Sequence, residues 1–158
     1  IFVNIASPST HIAEHAIHLW NNTKFNEVTH NVIIDSDRGI GFGMRMNRNK
    51  LEPYSNLGGL IRENILVHSN NQHEFSDVGI ILEDSPDTQI SGNVILNQHS
   101  YPNAIEVRFP KSNNVVVIGN ISNADFTTRD GGDALLVDNK QLSEQELMKV
   151  IRTKLGVD

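Results

Sequence analysis

His99, Tyr101, Glu106 and Arg108 fall within one stretch of ten residues, and together they can handle protons and carboxylates. Arginine pairs bidentately with a carboxylate. Histidine and tyrosine move protons, and glutamate acts as acid or base. A lyase that takes the proton beside a uronate carboxylate needs such a set. Arg108 would neutralise the carboxylate, and His99 or Tyr101 would move the proton. Arg108, Glu106 and His99 are therefore the candidate catalytic residues. A glycosidase would instead need two carboxylates about 5 to 9.5 Å apart. Glu83, Asp84, Glu106 and Asp130 are the acids on offer, and their spacing assigns no pair.

The candidate substrate-binding residues are Trp20, His18, Tyr101, Gly41 and Gly43. A flat indole can stack on a sugar ring, and a strip of glycines leaves backbone open to an extended ligand. Plainer roles exist for each. Trp20 would be covered by a loop or a partner chain, and Glu106 with Arg108 would form an outer-face ion pair of little energetic worth. Asp35-Ser36-Asp37 and Glu83-Asp84 carry hard oxygen ligands of the kind calcium takes. His11, His15 and His18 lie close in sequence, but nothing fixes a zinc tetrahedron. No metal and no cofactor is expected.

What could position these residues is a repeat, which is sought before local structure. Asparagine makes up 19 of the 158 residues, about 12%. Five of them share a frame: Ile1-Phe2-Val3-Asn4-Ile5, Val28-Thr29-His30-Asn31-Val32, Ile61-Arg62-Glu63-Asn64-Ile65, Ile90-Ser91-Gly92-Asn93-Val94 and Val117-Ile118-Gly119-Asn120-Ile121. An aliphatic residue stands three before each Asn and another directly after it. A second apolar run comes about 12 to 15 residues earlier: Ala16-Ile17-His18-Leu19, Val78-Gly79-Ile80-Ile81-Leu82 and Ala104-Ile105-Glu106-Val107. Gly39-Ile40-Gly41-Phe42 matches in texture, followed by an insertion from about Arg45 to Leu57. Each period holds two or three short strands and no crossover helix. Such repeats coil into a spiral in which each strand pairs with its equivalent about 4.8 Å away. The asparagines would stack their amides in a ladder, with aliphatic side chains inside. An all-β sandwich is the main structural rival.

Counting back from each Asn stacks Val78, Ile80 and Leu82 under Ile105, Val107 and Phe109, all pointing inward. Alternation then turns Gly79, Ile81, Glu106, Arg108, Gly41, Gly43, His18 and Trp20 outward. The result is a bare glycine strip flanked by His18 and Trp20 on one side and Glu106 and Arg108 on the other.

Val78 to Ser85 followed by Ile90 to Ile95 resembles the right-handed parallel β-helix repeat proteins, the pectate lyase-like superfamily. The stretch from Tyr101 to Pro110, with Arg129-Asp130-Gly131-Gly132, is similar to an uncharacterised bacterial subgroup. The resemblance implies an all-β, right-handed parallel β-helix of about five to six turns over residues 1–139. It also implies a carbohydrate-binding or carbohydrate-processing role, of lyase or hydrolase type, on an acidic polysaccharide, and a secreted or cell-surface location. No intact lyase or polygalacturonase signature is present. The alternative is a non-catalytic structural or binding module, a fragment of a larger protein or an end-to-end homo-oligomer.

Ser143-Glu144-Gln145-Glu146 forms a capping box, and Leu147, Val150, Ile151 and Leu155 recur at helical spacing before Gly156. Residues 140–158 thus supply a C-terminal capping helix, over 143–155, whose apolar face covers the last turn. Ile1-Phe2-Val3 starts in mid-strand, so an upstream domain or a second chain is expected there. Composition narrows the rest. No cysteine is present, which excludes disulfides and thiolate chemistry. The net charge of −6 argues against nucleic acid as a partner. No run of about 18 apolar residues exists, so no membrane-spanning helix is expected.

Overall fold

The computed structural model describes residues 1–8, 11–44, 54–69 and 75–157. Three-strand units repeat along them. The first is β1 (Phe2–Val3), β2 (His15–Leu19) and β3 (Thr23–Thr29), and the second is β4 (Val32–Ile34), β5 (Arg38–Gly43) and β6 (Asn56–Arg62). The third is β7 (Ile65–His68), β8 (Ile80–Glu83) and β9 (Thr88–Ser91), and the fourth is β10 (Val94–Asn97), β11 (Asn103–Arg108) and β12 (Val115–Ile118). The fifth is β13 (Ile121–Ser122), β14 (Asp125–Arg129) and β15 (Ala134–Val137). β16 (Lys140–Gln141) opens a sixth before helix α1 (Glu144–Leu155). Each strand pairs in parallel with its counterpart one unit away, so first, second and third strands build sheets A, B and C respectively. This is the expected parallel β-helix. The spiral runs through Gln141, just beyond the boundary expected at 139. The first part of the expected insertion, residues 45–53, lies outside the described residues.

The aliphatic frame around each asparagine divides between two environments. Val28, Ile61, Ile90 and Val117, three before the Asn, lie in the main core with Ile40, Phe42, Ile80, Leu82, Ile105 and Val107. The residue directly after the Asn points the other way. Val32, Ile65, Val94 and Ile121 form a second cluster, outside sheet A, with Leu147 and Ile151 of α1. The helix is capped as the sequence indicates: Ser143 and Glu146 form the reciprocal capping box, and Gly156 closes it in the left-handed conformation. Its position differs from the expectation. α1 does not lie over the end of the last turn; it runs back along the outer face of sheet A, until Lys154 Nζ stands 3.8 Å from Glu63 Oε2. The apolar columns of β7 and β10 draw it there. Burying Leu147 and Ile151, 0% and 4% exposed, contributes about 1.5 to 3 kcal/mol each.

The asparagine row is continuous from Asn31 through Asn64, Asn93 and Asn120 to Asn139. Each Nδ2 donates to the next Oδ1, at 3.1, 2.9, 2.9 and 2.9 Å. Each backbone N–H donates to that same oxygen, at 2.9, 2.9, 3.0 and 3.0 Å. The second Nδ2 proton of Asn64, Asn93, Asn120 and Asn139 reaches a strand carbonyl of the preceding coil. The residue before each Asn has left-handed backbone: His30, Glu63, Gly92, Gly119 and Asp138. That conformation turns the chain from sheet C into sheet A and aims the amide along the spiral.

Two register expectations need correction. Asn4 is not in the row. β1 pairs Phe2 with Ile33 and Val3 with Ile34, so Asn4 falls beside Asp35 at the bend from sheet A to sheet B, and both have φ 54°. In sheet B, Ile80 pairs with Ile105 and Leu82 with Val107, two residues from the expected register. The bend after β11, residues 109–114, is two residues longer than the bend after β8, residues 84–87. Counting from the asparagine therefore slips by two, which keeps the inside–outside alternation. Phe109 leaves the inner column as a result, although it stays buried. It sits in that bend at φ 69°, under the Arg108 guanidinium at 4.7 Å.

Candidate functional site

The outer face of sheet B collects most of the chemically capable side chains. Register places His18, Gly41, Ile81, Glu106 and Thr127 in one column across the strands, and Gly43, Glu83, Arg108 and Arg129 in the next. Trp20 directly follows β2 at the open edge of this face and is 47% exposed.

The glycine strip is present but not bare. A Cβ on Gly41 would come within 2.6 Å of His15 Cδ2 and 3.1 Å of His18 Cδ2, because both imidazoles lie over it. The two rings stack on each other at 4.1 Å, and His18 stacks on Trp20 at 5.9 Å. His18 Nε2 sits 2.7 Å from the Gly43 carbonyl. Gly43 has φ +79°, and a Cβ there would strike the Glu83 carbonyl. The glycines thus make room for a histidine–tryptophan stack and a close strand approach, rather than for a ligand. Gly79 does not face outward at all: a Cβ there would meet core residue Ile95 at 2.8 Å. Beside the stack lies an open groove of about 490 Å³, lined by His11, Glu14, His15, His18, Trp20, Arg38, Met44 and Glu83 among others. Burial, then the charges of His18 and Arg38, press the His15 pKa down to about 3.

Further along the face the candidate catalytic residues are parted. Glu106 is fully buried. Tyr101 Oη donates to its Oε1 at 2.5 Å, Asn103 Nδ2 donates to the same oxygen at 2.7 Å, and Arg129 Nη2 lies 2.8 Å from Oε2. Burial alone would raise the Glu106 pKa, but these bonds and the Arg129 charge outweigh it and hold the carboxyl below the usual range. The same burial, and the bond to Glu106, push Tyr101 up to about 12, so its phenol keeps its proton. Arg108 does not meet Glu106. Its Nη1 donates to Glu83 at 2.9 Å and its Nε to Asp130 at 2.8 Å. His99 turns elsewhere: its Nδ1 accepts from the Tyr101 N–H at 3.2 Å, and its Nε2 is 3.1 Å from Nδ1 of buried His68. The first contact makes Nε2 the protonated nitrogen of neutral His99. Burial lowers the His99 pKa, against the charge of Asp77.

Arg129, Arg38 and Asp77 belong to this face and were missed from sequence. Arg38 forks onto Asp77 through Nε at 2.9 Å and Nη2 at 2.8 Å. Only the Arg129-Asp130-Gly131-Gly132 stretch singled out one of them. The acidic run Asp35-Ser36-Asp37 serves the fold. Asp35 accepts from Ser69, and Asp37 accepts the N–H groups of Ser7 and Glu14. Among the described residues no group of three or more His, Cys, Asp or Glu could hold a metal ion, and no helix is long and apolar enough to cross a membrane. No protein-family model matches the chain, and neither a curated protein nor a solved structure does.

Proposed function

We propose that the protein is a saccharide-binding β-helix, with its ligand laid along the outer face of sheet B and anchored on Trp20. The observation that carries this reading is the half-exposed indole standing in a groove of mixed polar and apolar lining, with Arg38 and Glu83 beside it. An aromatic face covers the C–H face of a sugar, and a few polar groups around it orient the hydroxyls. Binding suits the face better than turnover. Glu106 is buried and held by three groups, Tyr101 keeps its proton, and His99 is engaged with His68. The lyase or hydrolase reading at Arg108, Glu106 and His99 is the alternative. It rests, like membership of the pectate lyase-like superfamily and a secreted location, on the coil pattern of the sequence. Calorimetry against an oligosaccharide panel tests the binding reading. Trp20→Ala should weaken any hit by tenfold or more, about 1.4 kcal/mol. A reducing-end assay and ultraviolet detection of new double bonds on the same panel test for turnover.

A second reading is a structural module joined through its ends. Ile1, Val3 and Phe25 are exposed at one end, and Leu135 and Leu136 at the other. Light scattering showing a concentration-dependent mass would favour it, and a constant monomer would remove it.

A further inference from the structure

We propose that the saccharide taken by this face is uncharged, not a uronate or sulfated polymer. The proposal rests on the binding reading above and names its ligand class. The outer face of sheet B carries Arg38, Arg108 and Arg129, the residue type that would attract a polyanion. Each is already engaged within the chain. Arg38 presents its fork to Asp77, with Nε and Nη2 both used. Arg108 is bracketed by Glu83 and Asp130, and only 19% of its side chain is exposed. Arg129 spans Glu106 and Asp130 at 2.8 and 3.4 Å. Four carboxylates thus meet three guanidinium groups. A ligand carboxylate approaching any of them would have to share the guanidinium with an internal partner and sit beside it, like charge against like charge. The groove at Trp20 shares Glu83 with this network and adds Glu14 to its lining. Carboxylates accept hydrogen bonds from sugar hydroxyls, so this set recognises a neutral ring and rejects an anionic one.

The test is calorimetric titration of neutral oligosaccharides and their uronate counterparts, matched in linkage, against the wild-type chain, Trp20→Ala and Glu83→Gln. Three results support the proposal together. The neutral member binds at least about tenfold tighter than the uronate. Its affinity changes less than about twofold between low and high salt, because exposed-charge attraction is screened and contributes little. Glu83→Gln, which releases one side of Arg108, narrows the gap between the two ligands. Tighter uronate binding that fades with salt and still requires Trp20 overturns the neutral-ligand inference and leaves the saccharide groove standing. Absence of any binding, or binding indifferent to Trp20→Ala, removes the groove itself and the inference with it.

Discussion

Replacing Asn93 by alanine should be among the most damaging single changes in the chain. The side chain makes four hydrogen bonds, none in contact with water. Its Oδ1 accepts the Asn64 backbone N–H and Asn64 Nδ2, both at 2.9 Å, and its Nδ2 donates to Asn120 Oδ1 at 2.9 Å and the Ile61 carbonyl at 3.0 Å. Truncation leaves two donors and the Ile61 carbonyl without those partners. Asn120 Oδ1 keeps its bond from the Asn93 N–H. Each buried group left unsatisfied costs about 1 to 3 kcal/mol. Three of them come to roughly 3 to 9 kcal/mol, and Asn64 and Asn93 are 0% exposed, so water cannot easily replace the lost partner. A domain of this size has only about 5 to 15 kcal/mol in total. Asn139→Ala provides the control. It ends the row and is itself only partly buried, so water can enter the space it vacates beside the Asn120 donors, and it should cost less, about 1 to 2 kcal/mol. Urea unfolding followed by far-ultraviolet circular dichroism measures both. If Asn93→Ala proved no more costly than Asn139→Ala, the row would be decoration on a sheet held by other forces.

Further outcomes follow from other parts of the structure. His68 is 1% exposed, and burial, with the charge of His99, lowers its pKa to about 4. The unfolded chain then takes up its proton first, so stability is full above about pH 6.5 and is lost as pH falls toward 4. Between pH 7 and pH 5 this single group removes about 2 kcal/mol, and His68→Gln should flatten the measured pH dependence by that amount. Leu147→Ala, emptying a fully buried site beneath α1, should cost about 2 to 5 kcal/mol by thermal or urea unfolding. Gly43→Ala should cost more than the 1 kcal/mol or so usual for an exposed turn, since its Cβ would meet the Glu83 carbonyl and not a yielding side chain; a variant as stable as wild type would contradict the strand spacing described at that point.

The spiral was readable because one physical requirement recurs. A bend that needs an amide acceptor on each turn writes asparagine at each turn, beside a β-branched pair. The same rule misled where the requirement differed. Asn4 satisfies the aliphatic frame yet serves another bend, and Asn139 belongs to the row but is followed by Lys140. Along the row, the residue after the Asn is apolar where it joins the cluster beneath α1, as at Ile65 and Val94. Sequence could not reveal that division, because inward and helix-covered positions are both simply aliphatic. At the candidate site, alternation correctly turned His18, Glu106 and Arg108 outward. It could not pair them. Long side chains reach across neighbouring coils, so Arg108 found Glu83 and Asp130, while Glu106 found Arg129 on the following coil. The glycine strip failed as an open floor for a similar reason: the imidazoles that cover Gly41 come from His15 and His18, on the neighbouring coil.

The asparagine amides all face one way. From Asn64 to Asn139 each oxygen looks toward the preceding coil, and from Asn31 to Asn120 one proton of each nitrogen looks toward the following one, so the five side chains form a head-to-tail file of dipoles parallel to the spiral axis. Such a file polarises itself, each link strengthening the next. Its electropositive end emerges at Asn139, directly after the acidic Asp138. Cutting the file in the middle would therefore weaken the surviving links as well as remove one, and the penalty for two such cuts should fall short of twice the penalty for one.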